Sequence, residues 1–203
     1  MRTKAYSDPA IDAIYELLFC DDLSRFKGTG DEYPWDVVFA DPPSIEDLET
    51  LVDDDEVETR PRILGANLLR SLGQVDDRKQ LFGVIVEVGL EDGLDTLAAY
   101  EDGTARYINY TSSMIVWDAR TKESDELIAD LFALGRNLVA QIGPWEDPRL
   151  NRPNNGNVRL SFLVSDGLYF GEAPFNVLAQ DAMGGPVISA ATKLMQYLIT
   201  QRV

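Results

Sequence analysis

Ser189 and Lys193 stand one helical turn apart, the spacing of a Ser-Lys dyad. Such a dyad works only where the lysine is desolvated enough to give up its proton. Near a chain end a surface lysine is the simpler reading. Glu87, Glu91, Asp92 and Asp95 crowd one short stretch and could supply a carboxylate pair for acid–base work. Carboxylates at strand ends and turns are also ordinary surface groups. Asp53, Asp54, Asp55, Glu56 and Glu58 are hard oxygen donors in number. Calcium needs such donors arranged about a fixed turn, and here no glycine follows and contiguous acids cannot all face one point. A solvated loop is expected instead, and no metal site is assigned. Cys20, the single cysteine, has no histidine to activate it and reads as a buried, inert thiol. Gly28-Thr29-Gly30 lacks the third glycine and the strand–helix frame of a dinucleotide fingerprint, so it reads as a turn. No stretch fits the phosphate-binding G-x-x-x-x-G-K-[ST] loop or the G-x-S-x-G nucleophile elbow.

The chain contains no histidine. That removes the commonest general base and the commonest neutral metal ligand. Ser-His-Asp triads, Cys-His dyads and ordinary zinc sites are excluded. No catalytic residue is assigned and no cofactor is expected.

Acidic side chains number 35 against 18 Lys and Arg, a formal net charge of −17. Residues 1–60 carry 17 acidic and 5 basic groups, whereas residues 61–203 carry 18 and 13. Such a surface repels phosphate backbones and anionic headgroups, so direct binding to nucleic acid or membrane is disfavoured and a basic protein partner fits better. A solvated acidic surface kept for solubility, or for a salty cytoplasm, explains the same charge without any partner. Five Lys against 13 Arg suits the salt reading and equally a GC-rich genome.

Positive charge and aromatics meet in one place. The segment from Trp145 to Asn157 is longer than most connections and carries Arg149 and Arg152 beside Trp145. Long irregular loops are often functional, and Trp and Arg are enriched at interface hot spots. Tyr169, Phe170 and Phe175 add aromatics in a second stretch. Trp145, Arg149, Arg152, Tyr169, Phe170 and Phe175 are therefore the candidate partner-binding residues. The competing reading has the aromatics covering a sheet edge and the arginines meeting local carboxylates.

These residues need a scaffold, and periodicity supplies one. Ser7-Asp8-Pro9 looks like a helix start, followed by Ile11, Ile14, Tyr15 and Leu18 at helical spacing. Trp35 to Ala40 reads as a short strand. Ser44, with Asp47 three residues on, opens a helix through Val52, and Thr59 and Pro61 open another that ends at Gly73. Then come four short apolar segments: Leu81–Val88, Leu94–Tyr100, Ala105–Tyr110 and Met114–Trp117. They are joined by tight turns, with Asp102-Gly103 a two-residue hairpin signal, so an antiparallel meander is expected. Thr121 or Ser124 caps the longest helix, whose apolar face runs from Leu127 to Ile142 before Gly143-Pro144. Val158–Val164 and Leu168–Phe170 form a last hairpin about Asp166-Gly167. Gly184-Gly185-Pro186 opens a final helix with Val187, Ile188, Ala191, Leu194, Met195 and Leu198 on its inner face.

Runs of strands and helices kept apart in sequence imply an α+β fold: a central antiparallel sheet, made of a four-strand meander plus a C-terminal hairpin, packed with amphipathic helices. One domain spanning 1–203 is expected, with residues 1–60 an acidic helical portion packed on it. The layout is similar to profilin-like, longin and roadblock scaffolds, whose members mostly bind proteins, although fold does not fix function. At Gly93-Leu94-Asp95-Thr96-Leu97-Ala98-Ala99-Tyr100-Glu101-Asp102-Gly103-Thr104-Ala105-Arg106-Tyr107-Ile108-Asn109 and at Gly184-Gly185-Pro186-Val187 the chain resembles a bacterial protein family of unknown function, over about residues 81–203. That resemblance implies no activity, ligand or site. No apolar run approaches the roughly 20 residues that span a bilayer. Met1-Arg2-Thr3-Lys4 is not followed by a signal-peptide core, and one cysteine suits a reducing compartment, so a cytoplasmic location is expected.

The functional expectation is a non-enzymatic interaction or adaptor subunit with a strongly acidic surface. Two alternatives stand beside it. One is a small-ligand-binding or enzymatic domain that uses only Asp, Glu and Arg. The other is an acidic nucleic-acid mimic whose carboxylates track a phosphate spacing.

Overall fold

The computed structural model describes residues 3–74 and 77–201, so Met1 and Arg2, part of the signal-peptide reading, lie outside the described residues. Among the described residues, six strands form one antiparallel sheet: β1 (Leu81–Leu90), β2 (Gly93–Tyr100), β3 (Ala105–Ile108), β4 (Met114–Trp117), β5 (Asn157–Val164) and β6 (Gly167–Pro174). Their spatial order is β4-β3-β2-β1-β5-β6. The meander from β1 to β4 and the β5–β6 hairpin both form. Helix α5 (Lys122–Val139) carries the chain from the β4 edge back to β1, beside which β5 pairs.

Strand alternation sends side chains to two opposite faces. On one face Val84, Val86, Leu97, Ala99, Leu160 and Phe162 pack under α5 and α7 (Gly184–Gln201). On the other, Phe82, Ile85, Leu94, Ala98, Tyr100 and Leu163 pack under the N-terminal helices α1 (Pro9–Leu17), α2 (Trp35–Val38), α3 (Ile45–Asp53) and α4 (Thr59–Ser71). The acidic N-terminal portion is therefore a full layer of the fold. The helix starts follow the capping chemistry in the sequence. Asp8 accepts from the amide of Ala10 with Pro9 in the first turn, Ser44 accepts from Asp47, and Thr121 and Ser124 cap α5 reciprocally. Tethering is also tertiary: the Asp102 carboxylate accepts from the amide of Thr59 at 2.9 Å, and the Thr59 hydroxyl accepts from the amide of Asp102 at 3.0 Å. The hairpin thus places a negative charge at the start of α4, where the helix dipole favours it.

Several local expectations need correction. The segment Trp35–Ala40 is not a strand: Trp35–Val38 is a short helix followed by a turn at Phe39. The i, i+4 spacing of Trp35 and Phe39 stacks their rings 6.2 Å apart, and Phe26 extends the stack, which an alternating strand would not allow. The β2–β3 connection is a three-residue loop in which Gly103 takes φ +84°, so glycine serves a bulge rather than a two-residue turn. Strand β6 runs on to Pro174 because Phe170, Gly171, Glu172 and Ala173 all pair with β5. Helix α5 ends at Val139, before Gly143-Pro144, and Ile142 still packs against the core from the following turn.

Candidate functional site

The six candidate residues do not form one surface. Arg149 is buried, its side chain 3% exposed, and points into the face beneath α1. Its Nη2 donates to Glu16 Oε2 at 2.8 Å and its Nε to Asp21 Oδ2 at 2.8 Å, while its guanidinium lies 3.6 Å from the centre of the Phe19 ring. Burial works against its charge, but Asp21, Tyr15 and Glu16 together outweigh burial and hold the guanidinium above its ordinary value. Tyr169 is also interior, on the opposite face, and its hydroxyl donates to Asp166 at 2.7 Å. Trp145 pairs its amide with the Leu168 carbonyl and sets its ring edge-on to Phe170 at 5.0 Å. Arg152 donates to the carbonyl of Ala5 at 3.3 Å. Residues 145–156 therefore act as a strap that fastens β5 and β6 to the N-terminal segment, and the arginines meet local partners. Phe175 stands apart in α6 (Phe175–Leu178), exposed, with Val177 beside it.

Beneath the strap lies a polar cluster that sequence reasoning did not assemble. Glu87 on β1 and Arg159 on β5 sit directly across from each other in register. Glu87 is fully buried; its Oε1 accepts from the Tyr15 hydroxyl at 2.6 Å, and its Oε2 lies 3.7 Å from Arg159 Nη1. Arg159 also grips Glu172 on β6, through Nε at 2.9 Å and Nη2 at 2.6 Å, and Nη2 donates to the Asn151 carbonyl at 2.6 Å. Burial pushes the Glu87 carboxyl above its ordinary value, with Arg159 and Tyr15 opposing it. Burial raises the Tyr15 hydroxyl strongly, and the nearby Glu87 charge adds to that. The signal for this cluster was present in the strand pattern: Glu87 and Arg159 both occupy inward positions of otherwise apolar strands, and two opposite charges so placed must find each other.

The other sequence candidates separate. Glu87 and Asp95 belong to adjacent strands but face opposite sides of the sheet, so these two do not pair, and Glu91 and Asp92 are exposed on the turn between the strands. Ser189 and Lys193 are both exposed on α7. Asp53 pairs with Arg78, and Asp54 accepts from the Tyr33 hydroxyl. Among the described residues no three carboxylates or thiols gather as a metal would need. Cys20 is buried, and burial drives its thiol far above the ordinary value, which keeps it protonated.

The face under α7 keeps an opening. A groove of roughly 230 Å³ runs between the sheet and the helix, walled by Val86, Val88, Leu97 and Tyr107 below and by Ile188, Ala191 and Met195 above. Phe175 and Thr192 stand at its rim, and Asp95 supplies its one carboxylate. The Asp95 oxygens accept from the Tyr107 hydroxyl at 3.0 Å and the Tyr110 amide at 2.8 Å. Burial, then the Asp95 charge, raise the Tyr107 hydroxyl, so it remains a donor. Of the six candidate residues, Phe175 is the one that borders this groove.

No protein-family model, curated protein or solved structure matches the chain. No described helix is long and apolar enough to cross a membrane. Site chemistry alone bears on function.

Proposed function

We propose that this protein is a non-enzymatic interaction or adaptor subunit whose strongly acidic surface receives a basic protein partner. The observation that carries this reading is a set of exposed apolar side chains between β6 and α7. Phe175 is 43% exposed, Val177 56% and Met183 37%, and Phe175 borders the groove, in a chain of net charge −17. Exposed apolar surface rimmed by charge is the usual mark of a protein-binding site. Arg149 and Arg159 are engaged by Glu16, Asp21, Glu87 and Glu172 and brace the layers, and Arg149 also lines a pocket of roughly 260 Å³ with Asp21 and Arg70.

Affinity purification from the native host, followed by reconstitution of the purified pair, tests the proposal. The expected result is a stoichiometric partner of basic composition whose affinity weakens with added salt. Failure to recover any stoichiometric partner, with the tagged protein folded and abundant, counts against the reading.

A further inference from the structure

We propose that the groove beneath α7 is the partner's docking point, and that it takes one large apolar side chain from a partner segment while Asp95 holds a Lys or Arg one or two residues away. This inference rests on the reading of the protein as a receiver of a basic partner. It adds where that partner binds and what it must present.

Three observations define the occupant. The first is size. At roughly 230 Å³ the groove falls below the about 300–1,000 Å³ of pockets that enclose a whole small molecule, and it is open along its rim. It has room for a side chain that stays attached to a larger body. The second is the lining. Val88, Leu97, Ile188 and Met195 offer dispersion contacts and no hydrogen bond, which selects an aliphatic or aromatic group. Methionine in particular adapts to side chains of different shape.

The third is charge. Among the described residues Asp95 has no cationic partner, unlike Glu87, Glu172, Glu16 and Asp21 on the far face. Its two carboxylate oxygens offer about four acceptor positions, and the protein's own donors fill two. Those two bonds also hold the carboxylate in place, which lowers the cost of ordering it around an incoming ammonium or guanidinium. Glu91 and Asp92, exposed on the β1–β2 turn at the same end of the sheet, add to the negative field there. An acidic or neutral occupant would leave Asp95 uncompensated beside apolar surface, so the groove discriminates by sign as well as by size.

Methyl NMR titration with the capped dipeptide acetyl-Leu-Arg-amide, and with acetyl-Leu-Glu-amide as its charge-reversed control, tests the proposal directly. The expected result is saturable shifts of the Met195, Leu97 and Val88 methyls with the basic peptide. The acidic peptide should bind at least tenfold more weakly. Asp95→Asn, which preserves the shape and can still accept from Tyr110, should lose at least tenfold for the basic peptide. Thr192→Trp fills the groove from an exposed rim position and should abolish the shifts while leaving the core intact. Equal response to both peptides, or a response unchanged in both variants, overturns the proposal. So does tenfold tighter binding of free phenylethylamine, which would make the groove a small-amine site. If the reconstituted partner binds both variants as it binds the unsubstituted protein, the groove is not its docking point, yet the interaction reading survives. Absence of any partner removes that reading instead.

Discussion

One sheet serves two faces that solve burial in opposite ways. Under the N-terminal helices the sheet presents Glu87, Thr96, Arg159 and Ser161 inward, and the layer above answers with Tyr6, Tyr15 and Arg149. Under α5 and α7 the strands are almost wholly apolar, with Gly135 letting α5 lie close to Leu81 and Phe162. The charged face ties its elements together through ion pairs, and the opening of roughly 260 Å³ that it keeps is walled in part by charge, from Asp21, Arg70 and Arg149. The apolar face tolerates an opening, since a partly uncovered aliphatic side chain loses only some burial. Charge here fixes which elements meet.

Removing packing from the apolar face should have the largest effect. Phe162→Ala creates a cavity beneath Gly135 and should cost about 3–5 kcal/mol by chemical denaturation, with little dependence on salt. On the charged face Arg149→Met leaves Glu16 and Asp21 near a low-dielectric interior and should cost about 3 kcal/mol. Adding Glu16→Gln should recover part of that loss, whereas no second substitution of a charge should rescue Phe162→Ala. If both losses behave alike in that rescue test, the contrast between the faces fails.

Two carboxylates sharpen the contrast through their opposite response to pH. Burial pushes Asp102 up, but its hydrogen bonds with Thr59 and Thr104 outweigh burial and hold it below the ordinary 3.8. Its contribution is present above that value and is lost as the pH falls through the lower folded-state value. Asp102→Asn should therefore be destabilising at neutral pH, and the deficit should close in strong acid. Glu87 is raised above its ordinary 4.5. Between 4.5 and that raised value the folded state holds a proton the unfolded chain has released, so stability falls as the pH rises. Glu87→Gln removes this slope: relative to the unsubstituted protein it should gain stability on going from pH 4 to pH 7. Urea titrations at several pH values read both slopes.

How legible was this in the sequence? The meander, the C-terminal hairpin and the long helices were visible because period-2 and period-3.6 patterns coincide there with strong turn and capping residues, such as Thr121 with Ser124. Trp35–Val38 was misread because four residues hold too little period to separate helix from strand, and the Phe26 ring that decides it lies nine positions away in the chain. Arg149 and Tyr169 looked like surface anchors because composition cannot tell a paired interior arginine from a free one. Its partners Glu16 and Asp21 are more than 120 residues distant. Asp95 is visible in the sequence as a carboxylate, but its place in the groove depends on α7, which returns from the far end of the chain.

The most direct test compares partner retention by the two faces. Quantitative affinity purification from the native host would use the unsubstituted protein, Thr192→Trp on the groove rim and Glu87→Gln in the buried polar cluster. The account predicts that Thr192→Trp loses the basic partner while Glu87→Gln retains it in full. Retention by Thr192→Trp together with loss by a correctly folded Glu87→Gln would contradict it.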